Sequence, residues 1–275
     1  MSRQQAAGSR QLGLSMIELL VALALSSILI LGITQIYIDN KRSYIFQQSQ
    51  VVNLNSARFA DLLLSDLLGK ASYQRTTLRE KFPTENLLSD ECANFGDLAV
   101  TQLESGDEVG FCLRYHPAVD GELTCAGNRL TMSADPFEKP VNSELAYIAL
   151  KFEPNDDDLE NGVISCIDTV SGRAELITGV ADFRIDFGVY RSPSEDIQEW
   201  MSASDWAPSD GPVHALRYSI LLASARNQRD GDSAVFQRWI EDPRNAERKE
   251  PLVAGDSRRI YQIATGSQAL RNLNL

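Results

Sequence analysis

Glu18 lies inside an apolar run, QLGLSMIELLVALALSSILILG, that extends from Gln11 to Gly32. A carboxylate at the centre of a membrane helix costs about 2.5–3.5 kcal/mol by insertion scales, less near an end, and such a group normally has a partner. Chemistry at Gly13 would supply one. A cut after Gly13 makes Leu14 the new N-terminus and Glu18 the fifth residue of the shortened chain. One helical turn separates residues one and five, so the new amine and the acid share a face. In an assembly, the amine of one subunit can then neutralise the carboxylate of its neighbour. Gly13 and Leu14 are therefore candidate processing residues, and Glu18 is a candidate assembly residue.

The other reactive residue types are sparse. The four cysteines are Cys92, Cys112, Cys125 and Cys166, spaced by 20, 13 and 41 residues with no CxxC pair. An even number without metal spacing, downstream of an export-like segment, reads as up to two disulfides. Three pairings are open, and four buried thiols are the alternative. The two histidines, His116 and His214, fall in no metal-binding pattern such as HExxH. GxSxG, a Walker A loop and GxGxxG are all absent from the sequence. No catalytic, cofactor or metal residue is expected, and the chain does not read as an enzyme. In the acidic stretch NDDDLENG, Asp156, Asp158 and Glu160 alternate as calcium ligands do. The EF-hand register fails there, however, because position six is not glycine and position twelve is Ile167. A solvated hairpin turn is the preferred reading.

These residues need elements to hold them. Leu19 to Ile38 is nearly all apolar, and twenty helical residues rise roughly 30 Å, enough to cross a bilayer core. Arg3 and Arg10 precede the span, favouring a cytoplasmic N-terminus, while Lys41 and Arg42 after it oppose that orientation. A cleaved signal peptide, with Ala22–Ala24 as its site, and an uncleaved anchor are the competing readings. Neither accounts for Glu18. A lipoprotein signal is excluded because no cysteine precedes Cys92.

The segment G|LSMIELLVALALSSILI resembles the leader and N-methylation segment of type IV pilins and pseudopilins. The resemblance implies that prepilin peptidase cuts after Gly13 and methylates Leu14, and that Glu18 supports assembly. Leu14 departs from the family, which most often has phenylalanine there. The domain reading follows: a leader over 1–13, a transmembrane or filament-core helix half over 14–38, an amphipathic half over 39–69, and a β-rich globular domain over 70–275. The helical pattern past the span places Val52, Phe59, Leu63 and Leu67 on one face, widened by Leu62 and Leu64, with Gly69 and Lys70 as its stop. Phe59 and Leu63 are read as core residues.

Beyond Arg79 the period shifts towards two. LAVTQLESGDEVGFCLRY and YIALKFEPNDDDLENGVISCID each read as a strand pair. GVADFRIDFGVYR sets Phe183, Ile185, Phe187 and Val189 against Asp182, Arg184 and Asp186. VHALRYSILLASA reads as a long central strand and RRIYQIAT as a last short one. Residues 90–93, 121–140 and 241–256 read as polar loops. The fold class is α+β, a long N-terminal helix packed on a largely antiparallel sheet.

ELITGVADFRIDFGVYR, a tryptophan-bearing loop, GPVHALRYSILLAS and SRRIYQIATGSQALRN follow the order of PilW-like minor pilins and of J-type pseudopilins in type II secretion. The ending is closer to the PilW-like pattern. This resemblance implies a minor pilin that primes pilus assembly and enters the pilus, in a tip complex with other minor pilins. The implied partners are those subunits, the major pilin, prepilin peptidase, the inner-membrane assembly machinery and a tip adhesin. It also implies an inner-membrane location with a periplasmic domain before assembly, then the cell surface. A J-type pseudopilin is the alternative, and a membrane-tethered periplasmic domain the third reading. The net charge of −12 argues against a broad nucleic-acid surface.

Overall fold

The computed structural model describes residues 15–75, 82–105, 108–133, 144–170, 172–190, 197 and 199–272. The chain divides into two compact units, Met1–Gln48 and Ser49–Leu275. Helix α1 (Met16–Lys70) begins in the first and ends in the second. Ser15 starts it: its carbonyl accepts the Glu18 and Leu19 N–H groups at 3.0 and 3.1 Å, and its Oγ accepts the Ile17 N–H at 3.3 Å. These contacts satisfy donors that a helix start leaves free. The helix ends as its sequence suggests. Ser72 takes a left-handed φ of 65°, and the Asn272 side-chain amide donates to the Gly69 and Ala71 carbonyls.

The second unit holds an eight-stranded sheet in which every pairing is antiparallel. Its strands are β1 (Val100–Thr101), β2 (Gly110–Tyr115), β3 (Ala146–Glu153), β4 (Gly162–Asp168), β5 (Arg173–Val189), β6 (Glu199–Ser202), β7 (Val213–Asn227) and β8 (Arg259–Ala269). The order is β1-β2-β3-β4-β5-β7-β8, with β6 added to the far end of β5. Helix-on-antiparallel-sheet packing makes this the expected α+β fold. β7 is long but lies one strand in from the edge rather than centrally, and β8 spans 11 residues.

The inner face of the sheet packs on the last turns of α1. Ala57, Ala60, Leu64, Leu67 and Leu68 join Leu113, Ile148, Ile164, Ile185, Leu216 and Tyr218 in the main core. The helix face differs from the sequence expectation. Val52, Phe59 and Leu62 are 54%, 51% and 70% exposed, and Leu63 is only partly buried. Small Ala57 and Ala60 let the sheet approach the helix backbone closely, so the stripe turns towards them and carries the bulkier residues outward.

Two smaller cores cover the outer face of the sheet. Residues 82–99 bring Phe82, Leu88, Cys92 and Phe95 over Cys112, Tyr147 and Ala149. Helices α2 (Ala234–Glu241) and α3 (Ala246–Gly255) bring Phe236, Trp239 and Leu252 over Ala181, Leu221 and Tyr261. Residues 241–256, expected to be a polar loop, thus contain the end of α2 and all of α3. Alone, α2 is too short to be stable. Its Ser233 cap, which accepts the Phe236 N–H, and its apolar face on β7 and β8 hold it.

Candidate processing and assembly site

Gly13 and Leu14 lie outside the described residues. Glu18 sits in the first turn of α1, where the positive end of the helix dipole favours an acid. Every large apolar side chain from Met16 to Ile38 is at least 40% exposed, and this helix is long and apolar enough to cross a membrane. The hydroxyls inside the run satisfy themselves: Ser27 donates to the Ala24 carbonyl and Thr34 to the Ile30 carbonyl, each at 2.8 Å. Apart from Glu18, the exposed surface of this run is thus mainly apolar, as lipid or a bundle of like helices requires.

Buried polar bonds fix the globular half of α1 to the sheet. The Asn53 amide donates to the Ile260 carbonyl at 2.9 Å, and the Tyr218 hydroxyl donates to Asp61 at 2.5 Å. Burial, with Asp61 beside it, pushes the Tyr218 phenol up. Lys70 bridges Asp66 at 2.9 Å and Glu122 at 3.2 Å.

The four cysteines form two bonds, Cys92–Cys112 and Cys125–Cys166, with Cα separations of 5.9 and 6.1 Å. The first ties the 82–99 segment to β2. The second ties the 117–133 segment to β4, next to buried Asp168, which accepts from Thr124, Asn128, Val170 and Gly172.

Several anchoring charges were missed in sequence. Arg114 is fully buried on β2. It donates to the carbonyls of Leu98, Pro83 and Gly96 at 2.9, 2.6 and 2.8 Å, and lies 4.8 Å from the ring centres of both Phe82 and Phe95. Asp182 and Asp186, on the face of β5 opposite Phe183, are both buried. Asp182 accepts from Trp239 Nε1 and pairs with Arg248, while burial raises its carboxyl. Asp186 gathers Arg184, Arg217 and Arg244.

The acidic stretch is the β3–β4 hairpin connection, with Asp156, Asp157 and Asn161 exposed, but it is not solvated throughout. Glu160 is 1% exposed, accepts from Tyr261 and Ser257, and pairs with Arg259, which also holds Asp158 at 2.5 Å. It therefore docks the β3–β4 connection on β8. Among the described residues, no group of three or more His, Cys, Asp and Glu could hold a metal ion. His116 is buried and held down to about 4 by that burial and by Arg75; burial also lowers His214.

Residues 8–34 match the model of the prokaryotic N-terminal methylation motif. No curated protein and no solved structure matches the chain. The motif is a type IV pilin-like prepilin signal, and with the helix-on-sheet fold it supports the pilin and pseudopilin superfamily in general. It implies processing by a prepilin peptidase and assembly with pilus machinery. With the apolar helix that follows, it fits anchoring in the inner membrane. A motif of this kind indicates a structural subunit rather than an enzyme.

Proposed function

We propose that this chain is a minor type IV pilin of the PilW-like kind. It primes pilus assembly and enters the pilus in a tip complex with other minor pilins. The observation that carries the reading is the methylation motif at residues 8–34 leading through α1 into a large disulfide-bonded sheet unit. Prepilin peptidase cuts after Gly13 and methylates Leu14. α1 then waits in the inner membrane with the sheet unit in the periplasm, and Glu18 meets the N-terminal amine of a neighbour as the chain leaves the bilayer. The resemblance of the region around β5, β7 and β8 to PilW-like chains supports the pilus over a secretion pseudopilus.

Two measurements test this. Mass spectrometry of the mature chain gives an N-terminus at Leu14; an intact leader, or a start at Leu25, refutes the pilin reading. Deletion of the gene removes surface pili and twitching. Intact pili with lost secretion of enzymes would assign the chain to a secretion pseudopilus instead.

A further inference from the structure

Among the described residues, strand β8 is an edge of the sheet, pairing only with β7. Just past β8, the Leu270 N–H donates to the His214 carbonyl of β7. Even-numbered residues in this part of the strand therefore turn their amides to β7, and Ile263, Thr265, Ser267 and Ala269 turn theirs outward. Edges are normally blunted by Lys, Pro, an inward charge or a bulge. Between Ile260 and Leu270 there is no charged residue and no proline, and pairing with β7 is regular from Tyr261 to Ala269. Thr265, Ser267 and Ala269 are exposed and small. Among the described residues, the hydrogen bonds given to its outward carbonyls come from its own glutamines: Gln262 and Gln268 donate to the carbonyls of Ile263 and Ala269 at 3.1 and 3.4 Å. A partner strand displaces such neutral caps easily.

Among the described residues, the other edges are short, covered or charged: the Arg173–Gly179 part of β5, which runs past β7 and pairs only with β4, carries Arg173 and Glu175. β1 is two buried residues long, and next to it Leu103 bridges Cys92. The 82–99 segment lies over that end, fixed by Arg114 and by the Cys92–Cys112 bond. β6 has four residues and begins on Glu199.

We infer that the Ile263–Ala269 edge accepts an extended, uncharged segment of a different subunit of the same assembly, added antiparallel to β8. The inference rests on the proposed function for its setting, in which neighbouring chains leave one membrane side by side. A second copy does not fit: among the described residues its open edges are its own β8 and the start of β5, which would set Arg173 and Glu175 against an uncharged edge. Asn53, Asp61 and Gly69 of α1 meet, in turn, Ile260, Tyr218 (paired with Gly266) and Asn272. The part of α1 past Ser49 and β8 thus run in the same sense. Antiparallel pairing of two β8 strands would reverse one helix against the other. Parallel pairing at equal height sets outward amides against outward amides, whereas a parallel ladder needs them staggered. The partner segment therefore runs opposite in sense to its own N-terminal helix. Its main chain supplies the hydrogen bonds, and the small residues on β8 leave room for larger side chains.

The test uses the full chain in its native cells, with Thr265→p-benzoylphenylalanine as the photo-crosslinking probe. The expected adduct maps to an extended segment of another chain that carries an N-terminal methylation motif. Ser267→Pro and Ser267→Lys, which block the edge on an exposed residue, should each cut its yield about tenfold while the purified chain melts as the parent does. An adduct with a second copy, an adduct indifferent to both substitutions, or no adduct in cells with normal assemblies would overturn the inference. The mature N-terminus is read in the same sample. A chain starting at Leu14 without the adduct refutes the edge and leaves the pilin reading standing, whereas an uncut leader refutes that reading itself.

Discussion

Replacing Arg114 by methionine isolates what holds the 82–99 segment on the sheet. Methionine keeps the length of the stem and removes the guanidinium. The Leu98, Pro83 and Gly96 carbonyls each lose a donor at 2.6–2.9 Å. A hydrogen bond from a charged donor contributes about 1.5–3 kcal/mol, and water can reach these acceptors because their residues are half-buried, so the lower figure applies. Contact with the Phe82 and Phe95 rings adds about 0.5–2 kcal/mol. Against this stands the cost of burying a guanidinium, visible in the lowering of its pKa by desolvation, which methionine does not incur. The net expectation is a loss of about 3 kcal/mol, or roughly 6–12 °C in Tm for a unit of this size. Trp200, Trp206 and Trp239 all lie in the sheet unit, so tryptophan fluorescence during urea titration in detergent reads this unit alone. Arg114→Lys keeps the charge but cannot span three carbonyls, and should recover less than half of the loss. If Arg114→Met unfolds within about 0.5 kcal/mol of the parent, the three bonds do not hold the segment and the reasoning is wrong.

Four other outcomes follow from the same contacts. His116 titrates near 6.5 when unfolded and near 4 when folded, so the unfolded chain binds more protons between those values. Its contribution, up to about 3 kcal/mol, is complete above pH 6.5 and is lost as pH falls towards 4; His116→Gln should flatten that part of the stability–pH curve, and an unchanged slope counts against it. Opening Cys92–Cys112 and Cys125–Cys166 by paired Cys→Ser changes should cost about 3 and about 4 kcal/mol on chain entropy, the larger loop losing more, measured as denaturation midpoints with and without reductant. Tyr218→Phe removes the bond to Asp61 and should cost about 1–2 kcal/mol in the same urea assay; no loss would mean that the bond does not fasten α1. Glu18→Ala should insert in the membrane and be processed normally yet fail to enter filaments, and normal piliation in that variant would remove the assembly role of the acid.

What could be read from the sequence is what depends on neighbours along the chain. Glu18 stands out because five residues and one helical turn define its relation to Gly13. The long strands stand out because Phe183, Ile185, Phe187 and Val189 alternate without interruption. The face of α1 was misread for a related reason. Hydropathy weights Phe59 and Leu62 above Ala57 and Ala60, but contact with a sheet depends on how closely backbones approach, and the alanines permit that. The α2 signal was present as Ser233 followed by Phe236, Trp239 and Ile240 on one face, yet eight residues and Pro243 shortly after it weigh against a helix until β7 and β8 are there to cover it.

The charged residues show the same limit from the other side. Glu160 in NDDDLENG has every local mark of a solvated loop, and only Arg259 and Tyr261, about a hundred residues away, make it a buried anchor. Asp182 and Asp186 read as the polar side of β5, and they are buried because α2, α3 and a cluster of arginines reach them across the sheet. On the proposed function, Glu18, though exposed in the single chain, belongs with these acids and not with the surface ones. Each is a carboxylate whose setting makes sense only with its cation in place. For Glu160 and Asp186 the cation lies elsewhere in this chain, so folding supplies it. Glu18 heads a run of exposed apolar side chains, and the charge proposed for it is a terminal amine on another subunit, made by the cut after Gly13. On that account folding completes the sheet unit, while only assembly completes the helix.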